Sequence, residues 1–171
     1  DSVRLREGLA RLLAEAGIET CAKVGDGDSL EQAVREHQPD VALVDIRMPP
    51  TFTHEGAQAA SRLRSAWPDL GILLLSQSLE SRYAAELARE SPARFGYLLK
   101  DRVLDVATLV DTVERVANGG TVLDPDVVSH LLGRRDTRDR LVTLSARERD
   151  VLELMAQGRS NQAIAKQLHI N

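Results

Sequence analysis

The sequence predicts an α/β fold, a doubly wound parallel sheet, followed by a small all-α region. Short apolar runs alternate with amphipathic segments over residues 1–117, which is typical of successive β-α units. The runs contain few polar residues, which indicates strands buried on both faces, as in parallel sheets. After Gly120 the alternation stops, and two short helical segments separated by a glycine follow. Such a pair predicts the front of a helix-turn-helix.

The first elements are a helix and a strand. A helix is predicted over residues 3–16, because its leucines recur near helical spacing and Gly17 can stop it. The apolar run at residues 18–24 predicts a strand. Since the chain begins on a helix, we expect a further strand ahead of residue 1.

The next unit ends on a carboxylate. Asp28 or Ser29 can cap a helix that runs to about residue 36. The apolar run at residues 41–45 predicts a buried strand whose last residue is Asp45. In open α/β sheets ligands bind outside the carboxyl ends of the strands, so Asp45 lies where a site is expected.

The remaining α/β elements follow in regular order. We predict a helix at 56–66, a strand at 71–75, a helix at 80–89, a strand at 96–99 and a helix at 105–117. Pro68 ends the first of these helices, and Asn118-Gly119-Gly120 ends the last.

The C-terminal third predicts a short helix, an exposed linker and the start of a further helical region. Asp124 with Pro125 predicts the start of a short helix that runs to about residue 132. Residues 133–140 contain no apolar side chain and predict an exposed linker. Ser145 with Glu148 forms a capping box that opens a helical region. We therefore divide the chain into an α/β domain at 1–117, whose first strand is expected ahead of residue 1, a linker with a short helix at 118–142, and the start of a helix-turn-helix domain at 143–171.

Composition indicates a globular protein without a membrane span. Hydrophobic residues make up 43% of the chain and charged residues 28%, and no apolar run approaches transmembrane length. Cys21 is the single cysteine, which excludes an internal disulfide and fits a reducing, cytoplasmic compartment. Residues 1–117 carry 14 basic and 19 acidic side chains, and residues 143–171 carry four and three. This difference in net charge between the two parts of the chain is too small to indicate nucleic-acid binding by itself.

Polar side chains mark the ends of the last three predicted strands of the α/β region. Asp45 ends one strand, Ser76 follows the next and Lys100 follows the last, while Asp1 precedes the first helix. Taken singly, each of these residues can be explained without a functional site, as a helix cap, a turn residue or a solvated lysine. Jointly, two carboxylates, a hydroxyl and an ammonium suit phosphoryl transfer to aspartate. The acidic pair would hold Mg²⁺, lysine and serine would contact phosphoryl oxygens, and Asp45 would be the nucleophile.

Motifs of one family span nearly the whole chain. They are Asp1-Ser2, the run from Val41 to Pro49 around Asp45, Leu73-Leu-Leu-Ser76, Gly96-Tyr97-Leu-Leu-Lys100, and Leu144-Ser-Ala-Arg-Glu-Arg-Asp-Val-Leu152 with Gly158-Arg-Ser-Asn-Gln-Ala-Ile-Ala165. In these motifs the chain resembles bacterial two-component response regulators of the NarL/FixJ type, which join a receiver domain to a LuxR-type helix-turn-helix.

The resemblance implies roles for the site residues. Asp45 would be the phosphoacceptor of a sensor histidine kinase, with Lys100 as the phosphate lysine and Ser76 and Tyr97 as switch residues. Mg²⁺ would be the cofactor, held by Asp1, Asp45 and the backbone carbonyl of Arg47. The implied fold is flavodoxin-like with strand order 2-1-3-4-5.

The resemblance also implies partners. The full-length protein would form a homodimer and bind DNA, and its recognition helix would begin just after Asn171. It would accept a phosphoryl group without being a turnover enzyme.

Two departures from the family pattern concern the site. Gly56 lies eleven residues after Asp45, where eight is usual, so the loop from Pro49 to Glu55 is longer and is expected to alter Mg²⁺ access or phosphate lifetime. Asp101 follows Lys100, where many receivers have proline.

Two enzyme classes built on a similar sheet are disfavoured by the sequence, and one alternative stays open. A phosphatase with an aspartate nucleophile usually has a second acid two residues on, but this position is Arg47. A flavodoxin needs a phosphate-cradling loop that Asp1-Ser-Val-Arg does not provide. The alternative that stays open is a phosphorylation-independent receiver that acts as a dimerisation module.

Overall fold

The fold is a parallel sheet between two layers of helices. The computed structural model describes residues 2–78, 81–90 and 93–133. In chain order the elements are α1 (Ser2–Glu15), α2 (Gly27–His37), β1 (Val41–Asp45), α3 (Glu55–Ala66), β2 (Gly71–Ser76), α4 (Ser81–Glu90), β3 (Phe95–Leu99), a 3₁₀ turn (Arg102–Leu104), α5 (Val106–Ala117), β4 (Thr121–Leu123) and α6 (Pro125–Gly133). Asp1, residues 134–142 of the predicted linker and the predicted helix-turn-helix lie outside the described residues.

Four strands form one sheet in the order β1-β2-β3-β4, and every pair is parallel. β1, β2 and β3 are neighbours, as the 3-4-5 part of the expected strand order requires. β2 is central, and all six of its residues are buried. This burial explains why Gly71-Ile-Leu-Leu-Leu75 is apolar throughout and does not alternate.

The predicted strand over residues 18–24 is wrong. These residues belong to no strand, and a cavity of about 750 Å³ lies between them and β1. The segment is held to α1 instead, since Arg6 Nη1 donates to the carbonyl of Val24 at 2.7 Å and Lys23 pairs with Glu7 at 2.8 Å. A strand needs a hydrogen-bonded neighbour, and within the described sheet β1 pairs with β2 alone.

β4 was not predicted. Thr121–Leu123 pairs in parallel with β3, and Leu123 and Thr121 are buried. α6 follows at once from the predicted cap, and its Val127 and Val128 are buried in the core. The sheet and core therefore include residues from the first part of the predicted linker. The division of the chain at 117 and 142 stays a prediction.

Two apolar clusters fill the spaces on either side of the sheet. One packs side chains of α2, α3, α4 and α6, such as Leu63, against strand side chains such as Leu74 and Tyr97. The other packs side chains of α1 and α5, such as Leu9 and Leu109, against strand side chains such as Leu73. Among the described residues, no helix has both the length and the apolar character needed to cross a membrane.

The cap of α2 differs from the prediction. Asp26, not Asp28 or Ser29, is the N-cap, and its Oδ1 accepts the amide of Ser29 at 2.8 Å. This hydrogen bond lowers the pKa of the Asp26 carboxyl. Sequence alone could not choose among three adjacent capping residues, because the choice depends on where the first turn begins.

Candidate functional site

The ends of β1, β2 and β3 form one edge of the sheet. In the register, Asp45 lies opposite Leu75, and Ser76 lies opposite Leu99. Backbone hydrogen bonds hold the residues that follow, since the amide of Lys100 donates to the carbonyl of Ser76 at 2.7 Å. The strand ends therefore bring Asp45, Ser76 and Lys100 to the same edge, as predicted.

Asp45 and Lys100 are in direct contact. Lys100 Nζ donates to Asp45 Oδ2 at 2.6 Å, and the two side chains are 15% and 22% exposed. The other carboxylate oxygen, Oδ1, accepts the amide of Arg47 at 3.1 Å. The carboxylate is thus fixed by one ammonium and one backbone N–H, yet it stays accessible from solvent.

The hydroxyl of Ser76 is turned towards the loop after β2. Ser76 is 4% exposed, and its Oγ donates to the carbonyl of Ser78 at 2.7 Å and accepts the amide of Ser78 at 3.2 Å. The side chain therefore lies at the predicted edge, but its hydrogen bonds are local.

Tyr97 is buried in the core. It is 0% exposed and belongs to the same apolar cluster as Leu87 and Val127. The structure therefore places the predicted switch aromatic inside the molecule, two residues before the end of β3.

The long loop after β1 leaves the strand and returns to it. The amide of Gly56 donates to the carbonyl of Ile46 at 2.9 Å, which closes a loop of residues 47–55. A Cβ at Gly56 would meet the backbone of Asp45 and Ile46, at 2.7 Å from the carbonyl carbon of Asp45 and 3.0 Å from Cα of Ile46. Glycine is required here by this close approach, which the spacing of the motif did not reveal.

Glu55 organises the same loop. Its carboxylate accepts the amides of Thr51, Thr53 and His54 and the hydroxyl of Thr51. The hydrogen bond from the Thr51 hydroxyl is the largest cause that lowers the pKa of Glu55 to about 2. Sequence reasoning missed this role, although an acid shortly after two threonines is its visible signal.

The predicted metal ligands are only partly described. Asp1 lies outside the described residues, whereas Asp45 and Arg47 lie at the edge of the sheet. Within residues 2–78, 81–90 and 93–133, no group of three or more His, Cys, Asp or Glu side chains could hold a metal ion. The donors at hand are a carboxylate and a backbone carbonyl, and an all-oxygen set of this kind suits Mg²⁺.

The sequence matches two known families. Residues 1–114 match the response regulator receiver domain, and residues 142–171 match bacterial regulatory proteins of the luxR family. Transcriptional regulatory protein DegU of Brevibacillus brevis is 32% identical over 100% of this chain and 78% of that protein. The protein named "Probable transcriptional regulatory protein NarL" of Mycobacterium tuberculosis is 35% identical over 99% of this chain and 77% of that protein.

Solved structures agree with the sequence matches. The receiver domain of NarL from Mycobacterium tuberculosis is 31% identical, with a TM-score of 0.52 over 64% of this chain and 87% of that chain. The response regulator RcsB of Salmonella typhimurium is 21% identical, with a TM-score of 0.60 over 98% of this chain and 78% of that chain. The second likeness shows the fold alone.

Fold, site and comparisons together define a response regulator with a receiver domain. The chain belongs to this family, and within it to the NarL/FixJ type, in which the receiver is followed by a LuxR-type DNA-binding domain. Its relatives are transcriptional regulators.

Proposed function

We propose that Asp45 accepts a phosphoryl group from a sensor histidine kinase and that this event controls dimerisation and DNA binding. The observation that carries the proposal is the contact between Asp45 and Lys100 at 2.6 Å, at the solvent-accessible edge of the sheet. It places a nucleophilic oxygen beside a cation that can neutralise the charge of an arriving phosphoryl group.

In the transfer, a carboxylate oxygen of Asp45 forms a bond to phosphorus while the bond from phosphorus to the kinase imidazole breaks. The electron pair of that bond leaves with the imidazole nitrogen. Lys100 then contacts a phosphoryl oxygen, because the acyl phosphate carries its charge on the phosphoryl group. Ser76 would exchange its hydrogen bond with Ser78 for one with another phosphoryl oxygen.

Mg²⁺ would be held by the carboxylates of Asp1 and Asp45 and by the backbone carbonyl of Arg47, and it would neutralise charge on the phosphoryl group. The chain's own residues fix the geometry. The amide of Arg47 holds one carboxylate oxygen of Asp45, and Gly56 allows the backbone of α3 to pack directly on the end of β1.

The proposed output is regulation of transcription in the cytoplasm by a homodimer. Support comes from the luxR-family match over residues 142–171 and from the solved structure of RcsB dimers bound to DNA. Asp45 would accept the phosphoryl group as a signal, and the protein would not act as a turnover enzyme.

Phosphorylation can be measured directly. The chain is incubated with Mg²⁺ and acetyl phosphate, and intact mass spectrometry should show one phosphoryl adduct. Asp45→Ala should abolish the adduct, whereas Asp40→Ala, which removes an exposed carboxylate just before β1, should leave it unchanged. An unmodified wild-type chain would refute the proposal and favour the phosphorylation-independent dimerisation module.

A further inference from the structure

Asp124 is a buried carboxylate at the junction of β4 and α6. It is 0% exposed. Its Oδ1 accepts the amide of Asp126 at 3.0 Å, while its Oδ2 accepts the amide of Leu99 and lies near Arg102 Nε, both at 3.4 Å. A carboxylate removed from water needs such partners, because an unpaired buried charge is costly. The side chain therefore ties the start of α6 to the end of β3.

The backbone of Asp124 makes the same connection. Its amide donates to the carbonyl of Tyr97 at 2.8 Å, and its carbonyl accepts the amide of Val128 at 3.1 Å in the first turn of α6. Val127 and Val128 are buried in the same apolar cluster as Tyr97. The first turn of α6 is thus held by β3 through hydrogen bonds and through shared core packing.

The hydrogen bond between Asp124 and Leu99 lies next to the proposed phosphorylation site. Leu99, whose amide Asp124 accepts, directly precedes Lys100. Lys100 in turn contacts Asp45 through its ammonium and Ser76 through its amide. A displacement of the Lys100 backbone would therefore reach Leu99, whose amide is hydrogen-bonded to the side chain of Asp124 just before α6.

We propose that Asp124 couples phosphorylation of Asp45 to the position of α6, the helix that leads towards the luxR-family region. This inference rests on the proposed function of Asp45. When Lys100 leaves the carboxylate for a phosphoryl oxygen, the end of β3 shifts and changes the hydrogen bond between Leu99 and Asp124. Because the buried carboxylate cannot lose a partner without cost, α6 follows the strand.

Hydrogen exchange of the α6 amides in the full chain tests the coupling. Exchange is measured with and without Mg²⁺ and acetyl phosphate in the wild type, Asp124→Ser, Asp124→Asn and the control Asp126→Asn. Serine keeps an N-cap but cannot reach Leu99 or Arg102, and asparagine keeps the size but has a single acceptor oxygen, which cannot serve Leu99 and the amide of Asp126 together. Asp126→Asn removes only the exposed partner of Arg102, at 3.1 Å.

In the wild type and in Asp126→Asn, phosphorylation should change α6 exchange roughly 5-fold or more, the lower end of typical coupling between sites. In both Asp124 variants the adduct should form to the wild-type extent, while α6 exchange stays the same in the two states. A phosphorylated wild type whose α6 exchange does not change, or Asp124 variants that respond like the wild type, would overturn the coupling alone.

Absence of the adduct in the wild type would overturn both the coupling and the function on which it rests. If circular dichroism shows that the Asp124 variants do not fold, Arg102→Gln removes the ion pairs with Asp124 and Asp126 and leaves the cap intact, so that Asp124 Oδ2 keeps only Leu99 as its link to the end of β3. Its α6 response should be smaller than that of the wild type, and a response of full size would overturn the coupling.

Discussion

Replacing Gly56 with alanine should destabilise the receiver, because the added Cβ would meet backbone atoms of Asp45 and Ile46 that belong to the sheet. Overpacking of this kind costs about 1–3 kcal/mol. If the backbone of α3 moves away, the hydrogen bond from Gly56 to Ile46 is lost as well, which costs about 1 kcal/mol more. The expected loss in the free energy of unfolding is therefore about 2–4 kcal/mol.

Urea denaturation followed by far-ultraviolet circular dichroism measures this loss. With a slope of about 2 kcal/mol per molar urea, the midpoint should fall by roughly 1–2 M. Gly8→Ala is the matched control, since a Cβ at Gly8 in α1 would meet no atom within 4 Å. Alanine there should raise stability by about 0.5–1 kcal/mol through helix propensity. A Gly56→Ala midpoint equal to or above that of the wild type would refute the steric reasoning.

Three further results are expected. Lys100→Met should slow phosphorylation of Asp45 by acetyl phosphate roughly 100-fold, as loss of one charge-stabilising donor typically does, and an unchanged rate would show that Lys100 is not part of the site. Glu55 has a folded-state pKa of about 2 against an ordinary 4.5, so its support of the loop is complete above pH 4.5 and is lost as the pH falls towards 2. Amide exchange in residues 51–54 should rise over that window, and Glu55→Gln should make the loop exchange fast already at neutral pH. The guanidinium of Arg64 lies 5.1 Å from the ring centre of Phe95. Replacing Arg64 with leucine should lower the free energy of unfolding, measured in urea, by about 1–2 kcal/mol. An unchanged free energy of unfolding would count against this contact.

The strand ends could be predicted because parallel strands leave clear signals. Each buried strand is a short apolar run, and the register of a parallel sheet brings consecutive run ends to one edge. Asp45 and Lys100, 55 positions apart, are therefore found in contact where the sequence placed them. The orientation of the Ser76 side chain could not be predicted, because its hydroxyl can bond to several nearby backbone groups. In the structure it donates to the carbonyl of Ser78.

The two strand errors have one cause. Residues 18–24 have the apolar pattern of a strand, but a strand forms only when it pairs with a neighbour. The cavity beside β1 separates residues 18–24 from that strand. Thr121–Leu123 is only three residues long and follows two glycines, so it looks like a turn, yet β3 offers it a free edge. Strand pairing depends on the tertiary structure, which a local sequence pattern does not specify. The contact between Asp124 and Leu99 escaped prediction for the same reason.

The closure of the loop 47–55 has an energetic consequence. Because a hydrogen bond joins Ile46 to Gly56, the nine residues between them form a closed loop, of which only Glu55 belongs to α3. The family's usual spacing would leave six residues, and the extra three cost only about 0.4 kcal/mol in closure entropy. Closure entropy therefore sets almost no limit on the length of this loop, and that length can vary at the edge of the sheet where Asp45 lies.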